Sequence, residues 1–80
     1  MKVKQFHAEN QFVIIDDEYI YFQSYNSIIV KQGKGKIYLD KYYWDYSRTT
    51  GKYRNLFLGE TKKETEKKIA SGEYELINLN

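Results

Sequence analysis

The spacing of apolar residues changes once along this chain, and the change falls inside Lys41 to Glu60, KYYWDYSRTTGKYRNLFLGE. Before this segment, short apolar runs follow a period of two. After it, a helical spacing with capping residues takes over, so a sheet is expected to hand over to helices here. The same segment holds the single tryptophan and four of the nine tyrosines.

The strands come first. Val3 to His7 alternates weakly, and Phe12 to Ile15 is an apolar run of strand length, with Ala8 to Asn10 between them. Asp16, Asp17 and Glu18 supply a turn, and YIYFQSY then suits a pleated surface rich in aromatic and β-branched side chains. Asn26 and Ser27 are expected to turn the chain into a further strand, Ser27 to Gln32. The glycines of QGKGK allow positive φ on either side of Lys34, and Lys36 to Asp40 resumes the alternation with Ile37 and Leu39 on one face.

The helices follow. Ser47, Thr49 and Thr50 are candidate N-caps for a helix from about Thr50 to Leu58, in which Tyr53, Leu56 and Phe57 recur at helical spacing. Gly59 is placed to end it, Thr61 and Glu64 form a T-x-x-E capping box, and Gly72 ends the second helix about ten residues later. That helix has a thin inward face of Thr65, Ile69 and Ala70. The tail GEYELINLN reads either as a last strand or as an extended arm. The expected fold is therefore an α+β domain over residues 1–80: an antiparallel sheet of about five strands in a meander, with two short C-terminal helices packed on one face.

Eighty residues place this domain near the size at which one core leaves a net stability of roughly 3 to 5 kcal/mol. With no cysteine, disulfides, thiolate metal sites and thiol nucleophiles are excluded, which suits a reducing cytoplasm. No stretch has signal-peptide or membrane-spanning length, so a soluble protein without membrane association is expected. The absence of proline leaves no rigid linker.

A formal charge of +2 is too small to imply nucleic acid, but it is unevenly spread. Residues 31–54 carry seven cations against two acids, and the chain on either side is mildly acidic. The positive charge thus sits with the aromatics. Tyr42, Tyr43, Tyr46, Arg48, Lys52 and Arg54 are the candidate partner-binding set, since Tyr and Arg dominate interface energetics and the start of a helix favours anions. Lys31, Lys34 and Lys36 are a candidate basic extension of it. The competing readings are an ordinary solvated surface, with ion pairs to Asp40, Asp45 or Glu60, and Trp44 as the largest core residue at the junction of sheet and helices.

Other constellations are weaker. QGKGK lacks the spacing and the strand-to-helix context of a phosphate loop and is expected to be a hairpin turn. Asp16, Asp17 and Glu18 lack a calcium-loop glycine. His7 has no partner at a catalytic spacing. Ser47, Asp45 and Glu60 read as caps and turn residues, so neither catalysis, nor a metal, nor a cofactor is expected.

The run Trp44-Asp45-Tyr46-Ser47-Arg48-Thr49-Thr50-Gly51-Lys52-Tyr53, with Phe57-Leu58-Gly59-Glu60, a Lys-Ile-x-Ser-Gly-Glu-Tyr tail and the YFQSYNSIIV stretch, resembles a family of small proteins of unknown function encoded by phages and plasmids of Gram-positive bacteria. The likeness covers roughly residues 20–80 and implies a mobile-element origin, with the bacterial host cytoplasm as its compartment. It does not imply a mechanism. Together with small size and no catalytic constellation, it leads to the expectation of a non-enzymatic protein that binds a bacterial host protein, such as a CRISPR effector or a restriction enzyme, and inhibits it by steric occlusion. The alternative is a single-stranded nucleic-acid-binding protein that uses its basic, tyrosine-rich surface. A third reading is self-association through an edge strand, giving a homodimer.

Overall fold

The computed structural model describes residues 1–80. Five strands run up and down in sequence: β1 (Lys2–Phe6), β2 (Ala8–Ile15), β3 (Ile20–Ser24), β4 (Ser27–Gly33) and β5 (Lys36–Asp40). Helices α1 (Arg48–Leu58) and α2 (Lys62–Ser71) follow, and β6 (Tyr74–Ile77) completes the sheet. The tail is a sixth strand, and it pairs parallel to β5, with Ile37 opposite Tyr74 and Leu39 opposite Leu76. The sheet is therefore mixed, in the order β1-β2-β3-β4-β5-β6, where five antiparallel strands were expected. The cause is the two-helix crossover, which returns the chain to the same end of the sheet from which β5 sets out.

The turns explain the hairpins. Asp16 Oδ1 accepts from the amides of Glu18 at 2.8 Å and Tyr19 at 2.7 Å, which holds the β2–β3 turn and keeps this carboxyl below its usual range. The β3–β4 turn consists of Tyr25 and Asn26, one residue earlier than the expected Asn26 and Ser27, and Tyr25 takes a positive φ (55°). Between Gly33 and Lys36, Lys34 and Gly35 both have positive φ, the signature of a type I′ turn whose twist matches that of the strands. Gly33 itself is needed for space, because a Cβ there would lie 2.5 Å from the Glu18 carbonyl oxygen and 2.6 Å from the Tyr19 ring.

Register puts Phe22, Val30 and Leu39 side by side on one face. With Ile29 and Tyr74 they form the buried core. Tyr53, Phe57, Leu58 and Ile69 pack on it from the helices, so both helices lie on this face. The rings of Phe22 and Phe57 stack at 5.6 Å, and Phe6 meets both edge-on. No helix is long and apolar enough to cross a membrane.

The helix ends follow the capping rules. Ser47 caps α1 by accepting from the Thr50 amide, so the helix starts two residues before the expected Thr50. Thr61 and Glu64 form the capping box of α2, and Gly59 and Gly72 take left-handed conformations at the two C-termini. Glu60, between the helices, ties α2 to β6. Its Oε1 accepts from Lys68 Nζ at 2.7 Å and from the Tyr74 hydroxyl at 2.8 Å, while Oε2 accepts from the Thr65 hydroxyl at 2.5 Å. The Glu60 side chain is only 4% exposed, and burial alone would raise its pKa. The three donors outweigh burial, so the carboxyl titrates below its ordinary value. Burial and the neighbouring carboxylate push the Tyr74 hydroxyl up to about 12.

This hub gives a two-sided pH dependence. Glu60 has a folded pKa below its unfolded one, so its contribution is present above the unfolded value and is lost as pH falls through the depressed one. Tyr74, with a raised pKa, contributes fully below about pH 10 and loses that contribution as pH rises toward 12. Urea titrations across pH are expected to show a shallower acid decline for Glu60→Gln than for the native chain. Glu60→Ala should cost about 2–3 kcal/mol at neutral pH, because the Tyr74 hydroxyl and Lys68 lose their acceptor, while Thr65 keeps only the Thr61 carbonyl.

Candidate binding cleft at the start of the first helix

The site is built on the chain between β5 and α1. Asp40, fully buried at the end of β5, uses Oδ2 to accept from the amides of Tyr42 and Tyr43 at 3.0 and 2.9 Å. Its Oδ1 accepts from the Leu79 amide at 2.7 Å, so one carboxylate pins both the start of the loop and the C-terminal tail. It forms no ion pair, contrary to one of the expectations above.

The other end of the loop is held from α1 by Arg54. Its guanidinium is buried, with 0% of the residue exposed. Nη1 donates to the Trp44 carbonyl at 2.6 Å and to Asp45 Oδ1 at 3.1 Å, and Nη2 donates to Asn55 Oδ1 at 2.9 Å. The group stands over the Trp44 ring at 5.1 Å, a cation–π contact that strengthens where water is excluded. Asp45 also receives Lys62 Nζ at 2.6 Å, which joins the loop to the first turn of α2. Burial tends to raise the Asp45 pKa, but donation from Lys62 and Arg54 prevails and holds the carboxyl below its usual range.

Arg54 therefore does not belong to the exposed basic surface on which the sequence placed it. Helical spacing gives the reason: Arg54 shares a face with Thr50, Phe57 and Leu58, and that face is turned toward the sheet. Tyr43 is half-buried and packs on the core, as Trp44 does in the position expected for a junction residue. Tyr42 and Tyr46 point outward, 67% and 70% exposed.

Arg48 and Lys52, one helical turn apart, are exposed and have no ion-pair partner. They border a cleft of about 720 Å³, which Lys62 and Asn55 also line, with Asp45 and Arg54 among its walls and Leu56 half-exposed at its side. A second depression, of about 610 Å³, lies beyond Ser47 and is lined by Tyr43, Tyr46 and Tyr25. Lys62 and Leu56 were missing from the sequence-derived set. Lys62 reaches the cleft only because Thr61 starts α2 beside Asp45, a tertiary fact, whereas Leu56 was counted inward although it falls on the same side of the helix as Lys52.

Lys31, Lys34 and Lys36 do not extend this surface. Lys31 lies on the sheet face opposite the helices, and Lys34 and Lys36 pair with Glu18 at 3.4 Å and Glu75 at 2.9 Å. No group of three His, Asp or Glu side chains is placed to hold a metal ion. His7 is exposed in the β1–β2 connection against Phe6.

These features define a small α+β domain with a six-stranded mixed sheet, covered by two helices on one face and carrying a basic cleft where the first helix begins. The chain belongs to the family of unknown function DUF8033, whose model it matches over residues 1–73. That match ends just before β6. No curated protein and no solved structure matches the chain.

Arg54 is expected to be the most sensitive polar position in the domain. Arg54→Ala should cost about 3–5 kcal/mol in urea denaturation, since it leaves Asp45 half-paired and the Trp44 carbonyl without its donor. A red shift of Trp44 emission in the still-folded population should accompany it. A cost below about 1 kcal/mol would show that the buried charge contributes little.

Proposed function

We propose that this protein is a non-enzymatic binding protein whose partner is a bacterial protein presenting an acidic patch to the cleft at the start of α1. The observation that carries this reading is a pair of unpaired cations, Arg48 and Lys52, beside the half-exposed Leu56 in one cleft, with the exposed ring of Tyr46 in the depression that adjoins it at Ser47 and the exposed Tyr42 on the same loop. Exposed aromatic area beside arginine is the composition of an interface hot spot, and these side chains stand on a helix and on a loop pinned at both ends. The backbone that carries these side chains is thus fixed before the partner arrives, which lowers the entropic cost of binding.

The cleft offers no hydroxyl or carboxylate paired with a general base, since Asp45 is engaged by two cations and Ser47 is the helix cap. That supports binding over catalysis. The resemblance to proteins of phages and plasmids of Gram-positive bacteria supports a mobile-element origin, with action in the host cytoplasm. The partner is then a host defence protein, of the kind exemplified by a CRISPR effector or a restriction enzyme, inhibited by occlusion.

Affinity capture from a Gram-positive bacterial lysate tests this, comparing the native chain with Tyr46→Ala/Arg48→Glu/Lys52→Glu. These positions are on the surface, so the triple variant should keep its circular dichroism spectrum while losing a defined partner by at least about a hundredfold in affinity. Retention of that partner by the folded variant would move the interface elsewhere.

A further inference from the structure

The helices cover one face of the sheet, and the opposite face carries a row of side chains across all six strands: Val3, Ile14, Tyr21, Lys31, Tyr38 and Glu75. The centre of this row alternates aromatic and cationic. Lys31 Nζ lies 4.2 Å from the centroid of the Tyr19 ring and 5.8 Å from that of Tyr38, and it has no carboxylate partner. Tyr19 stands beside Tyr21 at 6.3 Å and lies over the backbone at Gly33, where a side chain would collide with it. Strand spacing places Tyr21 and Tyr38 roughly 9–10 Å apart with Lys31 between them.

We infer that this uncovered face binds a single-stranded nucleic acid, its bases stacking on Tyr21, Tyr38 and Tyr19 and its phosphates meeting Lys31, Lys34 and Lys36. The physical basis is a sheet that offers half-buried tyrosine rings at fixed spacing with cations between them, an arrangement that takes two or three bases without reading their edges. A protein side chain would find no deep apolar pocket here, whereas a base needs only a flat ring and a nearby charge. The ion pairs of Lys34 with Glu18 and of Lys36 with Glu75 are exposed, and such pairs are weak enough for a phosphate to displace the acid. Those acids also limit the local charge. Stacking therefore carries most of the affinity, and the salt dependence is shallow, with a log–log slope of about −1 to −2 for two or three phosphates.

This surface is on the other side of the sheet from the α1 cleft and does not depend on the protein-binding reading. The test is fluorescence anisotropy of labelled oligouridylate and oligothymidylate at two salt concentrations, with a blunt DNA duplex alongside. Both single strands, or one of them, should bind more tightly than the duplex, and the preferred strand identifies RNA or DNA as the ligand. Tyr38→Leu keeps apolar bulk but removes the ring, and Lys31→Gln removes the charge alone; each should weaken binding about tenfold. Lys63→Gln/Lys67→Gln on α2 removes two charges elsewhere and should leave affinity within about twofold at moderate salt. Amide spectra of each variant establish that the fold is kept.

No binding of either strand at low salt overturns the proposal. So does a loss in the α2 variant as large as that in Lys31→Gln, or equal affinity for the duplex. Concentration-dependent dimerisation that Tyr38→Leu abolishes would overturn it too, by assigning the face to a second copy of the chain.

Discussion

Burying a guanidinium is costly unless the protein meets its charge and most of its donors, and the junction between sheet and helices is shaped by that requirement at Arg54. The Trp44 carbonyl, the Asp45 carboxylate and the Asn55 side-chain oxygen accept three hydrogen bonds from its two terminal nitrogens, with the indole ring below, and only the buried Nε is left without a partner. A loop that supplies a carbonyl and a carboxylate to one fixed group cannot drift. Lys62 then binds the other oxygen of Asp45, so the position of α2 depends indirectly on the same charge. Asp40 does the corresponding work at the start of the loop and extends it to Leu79 in the tail. Between these two buried groups of opposite sign, Tyr42 and Tyr46 have one direction left to them, outward.

The same economy of polar hubs appears at Glu60, which collects Thr65, Lys68 and Tyr74. Only five apolar side chains are fully buried in the domain, and the two helices are polar over most of their surface. Burial of Phe22, Ile29, Val30 and Leu39 supplies the cohesive term, at about 25 cal/mol per Å² of apolar surface removed from water. It does not fix where the helices sit. Hydrogen-bonded carboxylates and one buried arginine do that, because each tolerates few geometries.

What could be read from the sequence follows the range of the interactions. Strands β3, β4 and β5, the capping box of α2 and both terminating glycines were visible because period, turn chemistry and capping act within a few residues, whereas Ser47 was only one of three candidate caps for α1. The parallel pairing of β6 was not, since a four-residue alternating segment looks the same in either direction and only the crossover decides. Tyr25 rather than Asn26 took the positive φ because the two-residue loop between Ser24 and Ser27 begins at Tyr25, one residue earlier than expected, and so puts it at the first loop position. Arg54 was misplaced because charge argued for the surface, yet its spacing from Thr50, Phe57 and Leu58 already argued for the inside. Periodicity was the better guide there. The basic surface divided for a similar reason: Lys31 follows the alternation of β4 and faces away from the helices, while Arg48 and Lys52 follow α1.

The three tyrosines on the helix-free side of the sheet, Tyr19, Tyr21 and Tyr38, have a geometric origin. Six strands at about 4.8 Å spacing make a sheet about 24 Å wide, and helices of 11 and 10 residues, about 16 and 15 Å long, cover it on one side only. The other face is left to water, where leucine or phenylalanine would make an adhesive patch and small polar residues would give the strands little to hold one another by. Tyrosine and lysine meet both demands: the lysine ammonium groups lie over the tyrosine rings and tie β4 and β5 to each other and to Tyr19 before β3, and each side chain carries a polar end suited to water. A face stabilised in this way presents half-buried aromatic rings and positive charge at regular spacing. The solution to a folding problem, covering a sheet too wide for its helices, is therefore also a surface chemically suited to stacked bases and phosphate.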